Sequence, residues 1–458
     1  MLVDTHGHLD DERFDADRDA VMERAIEAGV AFIINPGTDL DSSRLAVELA
    51  EKHDCVYAAL GVHPHESGQL TDKACAVLRK LADHEKVVAI GEIGLDYYRE
   101  FSPREDQREA FRKQLDIASE LALPVIVHSR DAHAEVEEML GEAGRAGKLR
   151  GVLHCFSGSP EWAQRAVAMG FHIGFDGPVT YENATKLRKI AAAVPDERLL
   201  VETDCPYLPP VPHKRSERNE PAYVRLVAER LAGIRKVSYE DICRVTGLAA
   251  ARLFGIPSAD ESGKVAYVIR NSLYLNITNR CSNRCTFCTR QKNAYVKGHR
   301  LWLDREPSVE GIIAACGDIS HYDEVVFCGY GEPTERLDAL KEVAKWVKSR
   351  GQRVRIVTNG EGDLINGRPI AAELAGLVDK LSVSVNTADP EQYDSLCRSV
   401  FGPKAHPAIL KFIEGAKAHV PEIEITAVSC PGVDIKAVEL LAKKMGVAFR
   451  ARRYNDAG

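Results

Sequence analysis

Over its first 257 residues, the chain alternates short apolar runs with longer amphipathic segments. In Arg108–Leu121, apolar residues recur at the three- and four-residue spacing of a helix with one buried face. The short runs have the length of buried strands; they include Ala31–Ile34, Val87–Ile90, Pro124–Val127, Gly151–Leu153 and Leu199–Val201. Repeated strand–helix units imply a parallel sheet, and about 250 residues suit a closed TIM-type (β/α) barrel.

A break in this pattern separates the first part of the chain from a second part. The stretch Gly255–Gly263 is rich in Gly, Ser and acidic residues and interrupts the periodicity. Six further strand candidates follow it: Tyr274–Thr278, Glu324–Phe327, Val354–Val357, Leu381–Val385, Ile423–Thr426 and a last run near Val447. They favour a smaller, partial (β/α)6 barrel, so the predicted α/β protein has domains over 1–257 and 267–458, joined by a linker over 258–266.

The composition is that of a folded protein in water, with 45% hydrophobic and 28% charged residues. No apolar run approaches the about 18 residues that a membrane-spanning helix needs. The polar start of the chain also lacks the basic and apolar regions of a secretory signal. Three of the 12 cysteines crowd together, which favours metal binding in a reduced compartment over disulfides. We therefore expect a cytoplasmic protein without a membrane partner.

The formal charge of −8 is unevenly distributed along the chain. Residues 1–258 hold 32 Lys and Arg against 43 Asp and Glu, whereas the remainder holds 28 against 25. An acidic first part argues against binding nucleic acid through bulk charge, but it leaves room for a local basic groove.

Histidines and carboxylates follow the predicted strands of the first domain. His6 and His8 are two residues apart in an extended run, so both imidazoles can share one face. The others follow strand ends, which converge on one rim of a β/α barrel; they are Glu92, His128, His154 and Asp204. The alternative is a set of unrelated core histidines and surface acids. Six such residues on one extended run and at four strand ends favour a site for two divalent ions, with one carboxylate bridging them.

The motifs around these residues occur in a fixed order over residues 1–256: Asp4-Thr-His-Gly-His-Leu, Gly61-Val-His-Pro-His, Gly91-Glu-Ile-Gly-Leu-Asp-Tyr-Tyr, Val127-His-Ser-Arg, His154-Cys-Phe-Ser-Gly and Glu202-Thr-Asp-Cys-Pro-Tyr-Leu. They resemble the TatD family of metal-dependent deoxyribonucleases. The resemblance implies one ion held by His6, His8 and Asp204, another held by His128 and His154, and Glu92 as the bridge. It also implies phosphodiester hydrolysis in DNA, with Asp204 receiving a proton from water and His63 facing the scissile phosphate.

Two points stay open in this first site. Mixed histidine and carboxylate ligation does not choose among Mg, Mn and Zn. The further histidines His65, His133 and His172 are expected to be helix, loop or packing residues.

A short loop after the strand candidate Tyr274–Thr278 carries Cys281, Cys285 and Cys288. Three thiolates can bind three irons of a [4Fe–4S] cluster, which leaves the fourth iron free to chelate S-adenosyl-L-methionine (SAM). An electron delivered there cleaves a carbon–sulfur bond and releases a 5′-deoxyadenosyl radical, by chemistry that the cofactor supplies. A zinc site is the alternative, and it would take a fourth ligand such as His299.

The Cys-x3-Cys-x2-Cys spacing, with Phe287 before the last cysteine, resembles the radical SAM superfamily over about residues 270–455. The resemblance implies a set of SAM-binding residues after the next strands: Gly329, Gly331, Glu332, Asn359, Ser384 and Asn386. Tyr330 stands where the commonest form of the glycine-rich motif has a second glycine. An electron donor such as flavodoxin or ferredoxin is also implied. The remaining cysteines of this half are expected to be packed thiols; they are Cys316, Cys328, Cys397 and Cys430.

We therefore expect a bifunctional enzyme that resembles the TatD-linked radical SAM proteins, with DNase-like hydrolysis in its first half and radical chemistry on an unknown substrate in its second. One alternative is that the first barrel hydrolyses a non-nucleic-acid small molecule, since a fold does not fix its substrate. Another is that it only docks substrate for a nucleic-acid-modifying second half. A third alternative is that the iron–sulfur cluster is only structural, which would make the second half a binding module. Near the end, Arg450, Arg452, Arg453 and Tyr454 are expected to form a solvated tail rather than a grip on phosphate.

Overall fold

The computed structural model of the chain describes residues 1–146, 149–258, 262–291 and 294–452. The chain divides into two compact units, Met1–Ala259 and Asp260–Gly458. The predicted linker over 258–266 includes residues 259–261, which lie outside the described residues, and its last residue begins a strand of the second unit. None of the described helices combines the length and the apolar character that crossing a bilayer requires.

An eight-stranded parallel sheet, with its strands in chain order, forms the barrel that the alternation predicts. The strands are β1 (Leu2–Asp4), β2 (Val30–Pro36), β3 (Val56–Leu60), β4 (Val87–Asp96), β5 (Val125–Arg130), β6 (Gly151–Leu153), β7 (His172–Phe175) and β8 (Leu199–Val201). The helices are α1 (Arg18–Glu27), α2 (Leu40–Lys52), α3 (Asp72–Leu81), α4 (Arg104–Glu120), α5 (His133–Ala146), α6 (Pro160–Ala168), α7 (Thr185–Ala193), α8 (Val224–Arg235) and α9 (Tyr239–Phe254).

Side-chain caps fix where several of these helices begin. The Asp39 carboxylate accepts a hydrogen bond from Ser42 N at 2.7 Å, and Ser42 Oγ returns one to the Asp39 backbone, which forms a capping box for α2. Ser238 and Asp241 form a second capping box at α9, while Thr71 and Ser159 cap α3 and α6 with a single side-chain acceptor each. The predicted apolar face of α4 is buried.

The barrel closes between β1 and β8, and the pairing continues past both strands. Thr5 N donates to Val201 O at 3.1 Å, and beyond them Gly7 forms an isolated parallel bridge with Cys205. His6 and His8 therefore flank the bridge residue just after β1, rather than lying within a strand as predicted. At the other end of the barrel, Leu253 and Phe254 of α9 pack in one apolar cluster with strand residues.

Strand β4 is longer than the sequence suggests. The apolar run was predicted to end at Ile90, but the strand continues to Asp96, so Glu92 lies within it. Its glycines are sites of close approach by β5: a Cβ on Gly91 would lie 2.5 Å from Ile126 Cβ, and one on Gly94 would lie 2.0 Å from His128 O. The register between β4 and β5 shifts in this stretch, and such irregularities re-aim side chains.

The second unit contains a seven-stranded sheet in the order β17-β16-β15-β14-β13-β10-β9 and a separate hairpin of β11 and β12. The strands are β9 (Ala266–Ile269), β10 (Ser272–Leu275), β11 (Tyr295–Val296), β12 (His299–Arg300), β13 (Glu324–Phe327), β14 (Val354–Thr358), β15 (Lys380–Ser384), β16 (Glu422–Val428) and β17 (Ala448–Arg452). The helices are α10 (Val309–Cys316), α11 (Leu337–Ser349), α12 (Gly362–Asn366), α13 (Pro390–Cys397), α14 (Ala405–Ala416) and α15 (Ile435–Lys444).

Strands occur at all six predicted places in this unit, although β10 ends at Leu275 rather than at Thr278, and these six form a parallel sheet. The pattern did not reveal β9, which pairs antiparallel with β10 at the edge, or the hairpin. Both are short and lie beside residues without clear alternation. Apolar faces of α11, α13 and α14 cover the sheet in one continuous core.

Candidate functional site

The closure of the first barrel brings three predicted ligands together. His8 N donates to Cys205 O and Asp204 N donates to His6 O, both at 2.8 Å, which holds the two backbones side by side. The Nε2 atoms of His6 and His8 are 3.1 Å apart, and they lie 3.6 and 3.7 Å from Asp204 Oδ1. Three possible ligand atoms therefore surround one point at the end of the barrel.

Glu92 lies at the centre of the predicted site and is buried. Its Oε2 is 3.5 Å from His6 Nε2 and 3.6 Å from His8 Nε2. Its Oε1 is 2.8 Å from His128 Nδ1 and 2.7 Å from His154 Nε2. Each carboxylate oxygen thus faces a different pair of imidazoles, which is the arrangement that a bridging carboxylate requires.

The second pair of imidazoles is equally close. His128 Nδ1 and His154 Nε2 are 3.2 Å apart. His154 follows β6 directly, and its N–H donates to Val127 O of β5 at 3.1 Å. His63 approaches from the loop after β3, with Nε2 3.5 Å from Glu92 Oε1. The structure therefore gathers all seven predicted residues of this site into one place.

The electrostatics of the site favour a cation at its centre. Burial lowers the pKa of His6 to about 4, so its ring is neutral and offers a lone pair. Burial alone would raise the pKa of the Glu92 carboxyl, but the imidazoles of His154 and His63 hold it well below its usual range. Burial opposes a charge on His8, yet Asp204 and neighbouring carboxylates raise its pKa to about 9. The carboxylates thus attract positive charge, which metal ions can supply in place of protons.

In the second unit, the cysteine loop follows β10 and is partly exposed. Burial, assisted by the nearby Glu332 carboxylate, raises the pKa of the Cys281 thiol to about 12. A hydrogen bond with Cys397, together with burial, raises the pKa of Cys285. Cys397 is buried, as expected of a packed thiol, and it also lies beside a cysteine of the loop. Thiols in such surroundings become thiolates only when a metal centre compensates their charge.

The two predicted glycines after β13 pack against the cysteine loop. A Cβ on Gly329 would lie 2.1 Å from Asn276 Oδ1, and one on Gly331 would lie 2.3 Å from Thr278 O and 2.4 Å from Arg280 O. In the structure, their lack of a side chain allows the approach of the polypeptide that leads to Cys281.

The predicted SAM-binding residues Glu332 and Asn359 also hold the loop in place. Glu332 N donates to Arg280 O at 2.7 Å, while the buried carboxylate accepts from Thr358 Oγ1 at 2.8 Å and Asn359 N at 2.7 Å. Asn359 Nδ2 donates to Ser282 Oγ at 2.8 Å. The ends of β13 and β14 are thus linked through side chains to the cysteine loop.

Two further predicted residues, Ser384 and Asn386, lie at the last position of β15 and two residues after it. Ser384 Oγ accepts a hydrogen bond from Arg452 Nη2 at 3.2 Å, and Asn386 Nδ2 donates to Ser384 O at 3.2 Å. Asn386 Oδ1 and Arg452 Nε are buried without a hydrogen-bond partner among the described residues. Arg450 and Arg452 belong to β17 rather than to a solvated tail, and Arg450 pairs with Glu424 at 3.1 Å. Arg453 and Tyr454 lie outside the described residues.

Comparison with known families accounts for both units. A model of the TatD-related DNases matches residues 3–255, which is more than half of the chain. The chain belongs to the TatD-related DNase family. A model of the radical SAM superfamily matches residues 275–445, so the second unit carries a radical SAM domain. The recognition of both families and the α/β architecture predicted from the sequence are confirmed.

Relatives and solved structures cover the TatD unit over almost their whole length. The chain is 44% identical over 256 residues to the uncharacterised metal-dependent hydrolase YabD of Bacillus subtilis, a match covering 56% of this chain and 100% of the relative. It is 40% identical over 260 residues to the 3′-5′ ssDNA/RNA exonuclease TatD of Citrobacter koseri, covering 56% and 99%. The crystal structure of the TatD homologue YJJV from Escherichia coli K12 aligns with a TM-score of 0.53 and 34% identity, covering 56% and 98%.

TatD membership implies divalent metal ions, and the donors of the first unit fit them. The ring nitrogens of His6 and His8 face each other at 3.1 Å, and those of His128 and His154 at 3.2 Å, so their lone pairs would repel unless a cation or a proton lay between them. Among the described residues, four groups of possible ligand atoms each lie within 4.8 Å of one another. Three consist of predicted site residues, His6–His8–Asp204, His6–Glu92–His154 and His63–Glu92–His128, and the fourth is Cys155–Asp176–Asp204. His154 thus lies near both centres, and the division of ligands between two ions stays a prediction.

Sequence reasoning missed a carboxylate that supports the TatD site. Asp96 Oδ2 is 3.3 Å from His128 Nε2, on the side of the ring that faces away from Glu92. The same oxygen is 2.9 Å from His65 Nε2, so His65 is part of this support rather than a simple packing residue. Asp96 belongs to the motif Gly91-Glu-Ile-Gly-Leu-Asp-Tyr-Tyr, and its position four residues after Glu92 was the available signal, since such residues share one face of a strand. His133 and His172 do pack elsewhere, against Ser129 and the Gly151 carbonyl.

A second group of acids behind the TatD site was also missed. Burial raises the pKa values of Asp4 and Asp176 to about 7, and burial together with Asp176 raises that of Glu202. Thr203 Oγ1 donates to Asp4 Oδ2 at 2.6 Å, and Cys155 N donates to Glu202 Oε1. Asp4 and Glu202 therefore connect the backbones that carry His6, His154 and Asp204.

Proposed function

We propose that the TatD unit hydrolyses phosphodiester bonds in single-stranded DNA or RNA, removing nucleotides from an end. The observation that carries the proposal is Glu92, whose two oxygens each face a separate pair of imidazoles. The name of the Citrobacter koseri relative, a 3′-5′ ssDNA/RNA exonuclease, supports this substrate class. Two divalent cations bound there would neutralise phosphate charge and acidify water.

The ligand side chains have separate roles in this proposal. His6, His8 and Asp204 would hold one cation, His128 and His154 the other, and Glu92 both. Burial would raise the pKa of Asp204, but His8 and the neighbouring imidazoles lower it, so its carboxylate is ionised. Its side chain is 14% exposed, against 4% for Glu92, so Asp204 is the acid better placed to take a proton from water.

His63 would act on the phosphate as a hydrogen-bond donor. Its Nδ1 accepts from His65 N at 3.2 Å, so the proton of the neutral ring resides on Nε2. Burial lowers the pKa of His63 well below its usual value, which keeps the ring neutral. An Nε2–H donor beside the metal centre can bind a phosphate oxygen without adding another charge.

The test is hydrolysis of an end-labelled single-stranded oligonucleotide by the purified full chain with Mg or Mn. We expect shortening from one end, loss of activity in Glu92→Gln, and full activity in Glu27→Gln, which changes an exposed acid of α1. Intact oligonucleotide alongside cleavage of an amide or a lactone would show that the unit hydrolyses a different bond.

For the radical SAM unit, we propose that Cys281, Cys285 and Cys288 hold a [4Fe–4S] cluster that cleaves SAM reductively. The loop's attachment to Gly331, Glu332 and Asn359 supports this role, because it links the cysteines to the strand ends expected to bind SAM. An electron donor such as flavodoxin or ferredoxin would reduce the cluster. Asn386 and Ser384 would contact the ribose and carboxylate of SAM, and the substrate of the radical is unassigned.

Anaerobic reconstitution with dithionite and SAM tests this second proposal. We expect 5′-deoxyadenosine from the wild type and none from Cys285→Ala. The control is Cys316→Ala, which changes a buried thiol of α10 that donates to Ile312 O. A bound cluster that never cleaves SAM would indicate a structural role instead.

A further inference from the structure

Large apolar side chains are exposed at one place in the TatD unit. Six such side chains are exposed among its described residues, and five of them lie in the loops after β4 and β8; these five are Tyr98, Phe101, Tyr207, Leu208 and Val211. The aromatic rings are 60%, 67% and 48% exposed for Tyr98, Phe101 and Tyr207. Exposed apolar side chains that cluster around one site mark a binding surface. We call these three rings the aromatic rim.

The aromatic rim borders the metal centre on two sides. The Phe101 ring lies 4.8 Å from the ring of His65, which is in turn 4.2 Å from that of His63. The Tyr207 ring lies 6.2 Å from that of His8. One ring is therefore next to the His63 side of Glu92, and another is next to the His8 side. A ligand centred on Glu92 would meet an aromatic face in either direction.

Arginine side chains accompany each ring of the rim. The guanidinium of Arg130 lies 4.0 Å from the centre of the Tyr98 ring, that of Arg13 lies 4.2 Å from Tyr207, and that of Arg99 lies 5.8 Å from Phe101. Arg13 pairs with Asp11 at 2.7 Å. Positive charge beside aromatic faces is notable in a unit with 32 Lys and Arg against 43 Asp and Glu. In proteins that bind single strands, aromatic rings stack on the bases and arginines bind the phosphates.

The geometry points to the aromatic rim as the base-binding surface of the nuclease: Phe101 and Tyr207 stack on the unpaired bases that flank the scissile phosphodiester, and Tyr98 stacks on the next base. This inference rests on the proposed nuclease function. A base can stack on a protein ring only when it has left its own duplex, so the rim would select single strands. The adjacent arginines would contact the phosphates between these bases.

The test compares binding of two single-stranded ligands to the full chain in the presence of Mg²⁺. One is a phosphorothioate oligothymidylate, which resists hydrolysis, and the other is an abasic oligomer with the same backbone and length. Fluorescence anisotropy gives both affinities. We expect Phe101→Leu and Tyr207→Leu each to weaken oligothymidylate binding about tenfold, because stacking on one base is lost while apolar bulk is kept.

Binding of the abasic oligomer should not change in these variants, since the phosphate contacts remain. The conservative variant Tyr207→Phe keeps the ring and should bind oligothymidylate more tightly than Tyr207→Leu. The control outside the rim is Ile26→Ala, which removes an exposed apolar side chain from α1 and should leave both affinities unchanged. If Phe101→Leu and Tyr207→Leu weakened the binding of both oligomers equally, or of neither, the inference of base stacking would be wrong. The proposed nuclease function would still stand if the wild type hydrolysed single strands. A wild type that neither binds nor cleaves single strands would overturn the proposed function itself.

Discussion

At the scale of single residues, Asp96 is a buried carboxylate that contacts a predicted metal ligand, His128, on the side of its ring away from Glu92. Its Oδ2 lies between His65 Nε2 and His128 Nε2, while its Oδ1 accepts from Tyr98 N and Arg99 N. Carboxylates in this position orient a metal-binding imidazole and strengthen its lone pair. The same side chain fixes the start of the loop that carries Tyr98 and Phe101.

We predict that Asp96→Asn lowers metal affinity about 10- to 100-fold and leaves the fold intact. The amide keeps an oxygen for the two backbone donors but loses the charge that faces His128. Isothermal titration with Mn would measure the change. Asp19→Asn, which alters an exposed carboxylate paired with Lys52, should bind metal like the wild type. Unchanged metal affinity in Asp96→Asn would show that the charge of Asp96 is not needed to orient His128.

A second prediction concerns Gly331. The Cβ of Gly331→Ala would meet two backbone carbonyls, which cannot move aside as a side chain can. We expect the cysteine loop to shift, the iron and sulfide content after reconstitution to fall, and the unfolding free energy to drop by about 1–3 kcal/mol. Gly415→Ala in α14 is the matched control, because its Cβ would meet nothing within 4 Å. A full iron and sulfide content in Gly331→Ala would show that the cysteine loop does not need a glycine at this position.

At the scale of elements, the strands were more predictable than the sites built on them. Runs such as Glu324–Phe327 identified strands because a strand of a parallel sheet is buried on both faces, and its sequence is therefore a nearly continuous apolar run. The extension of β4 through Gly91 and Gly94 was hidden, since those glycines are required by β5, which is distant in sequence. Asp96 and His65 were missed for the same reason: their roles depend on contacts with residues that are distant in sequence, since Asp96 of β4 faces both His65 and, in β5, His128.

The closure of the first barrel leads to a third prediction. Thr203 Oγ1 donates to buried Asp4 at 2.6 Å and accepts from Cys205 N at 3.2 Å, which joins the end of β1 to the segment after β8. Thr203→Val keeps the shape but removes both bonds. We expect a loss of about 1–3 kcal/mol in the unfolding free energy, because a buried carboxylate loses a donor.

Urea unfolding would measure this loss, and Thr246→Val is the matched control. Thr246 is equally buried, but its hydroxyl donates only to Ile242 O within α9 at 2.8 Å, so its removal should cost less. Equal losses of unfolding free energy in the two variants would mean that the hydrogen bond between Thr203 and Asp4 adds no particular stability to the barrel closure. A decrease in metal affinity in Thr203→Val alone would connect the closure to His6 and Asp204.

At the scale of the whole molecule, the chain combines two chemistries whose predicted ligands come from separate units. Nitrogen and oxygen donors belong to Met1–Ala259, and the three clustered thiols belong to Asp260–Gly458. Imidazole and carboxylate suit divalent ions such as Mg, Mn and Zn, whereas thiolates suit iron–sulfur clusters. The two sets of ligands share no side chain, so losing one metal centre should not remove a ligand from the other.

We therefore predict that the two activities can be removed separately. Glu92→Gln should abolish hydrolysis but form 5′-deoxyadenosine within about twofold of the wild-type rate, and Cys285→Ala should do the reverse, since changes without shared partners act additively. Both rates would be measured on the same anaerobic preparations, with added Mn. The unchanged activity of each variant also shows that the chain has folded. If Cys285→Ala lost hydrolysis while it still bound Mn, the cluster would be needed by the first site, and the chain would act as one enzyme rather than two.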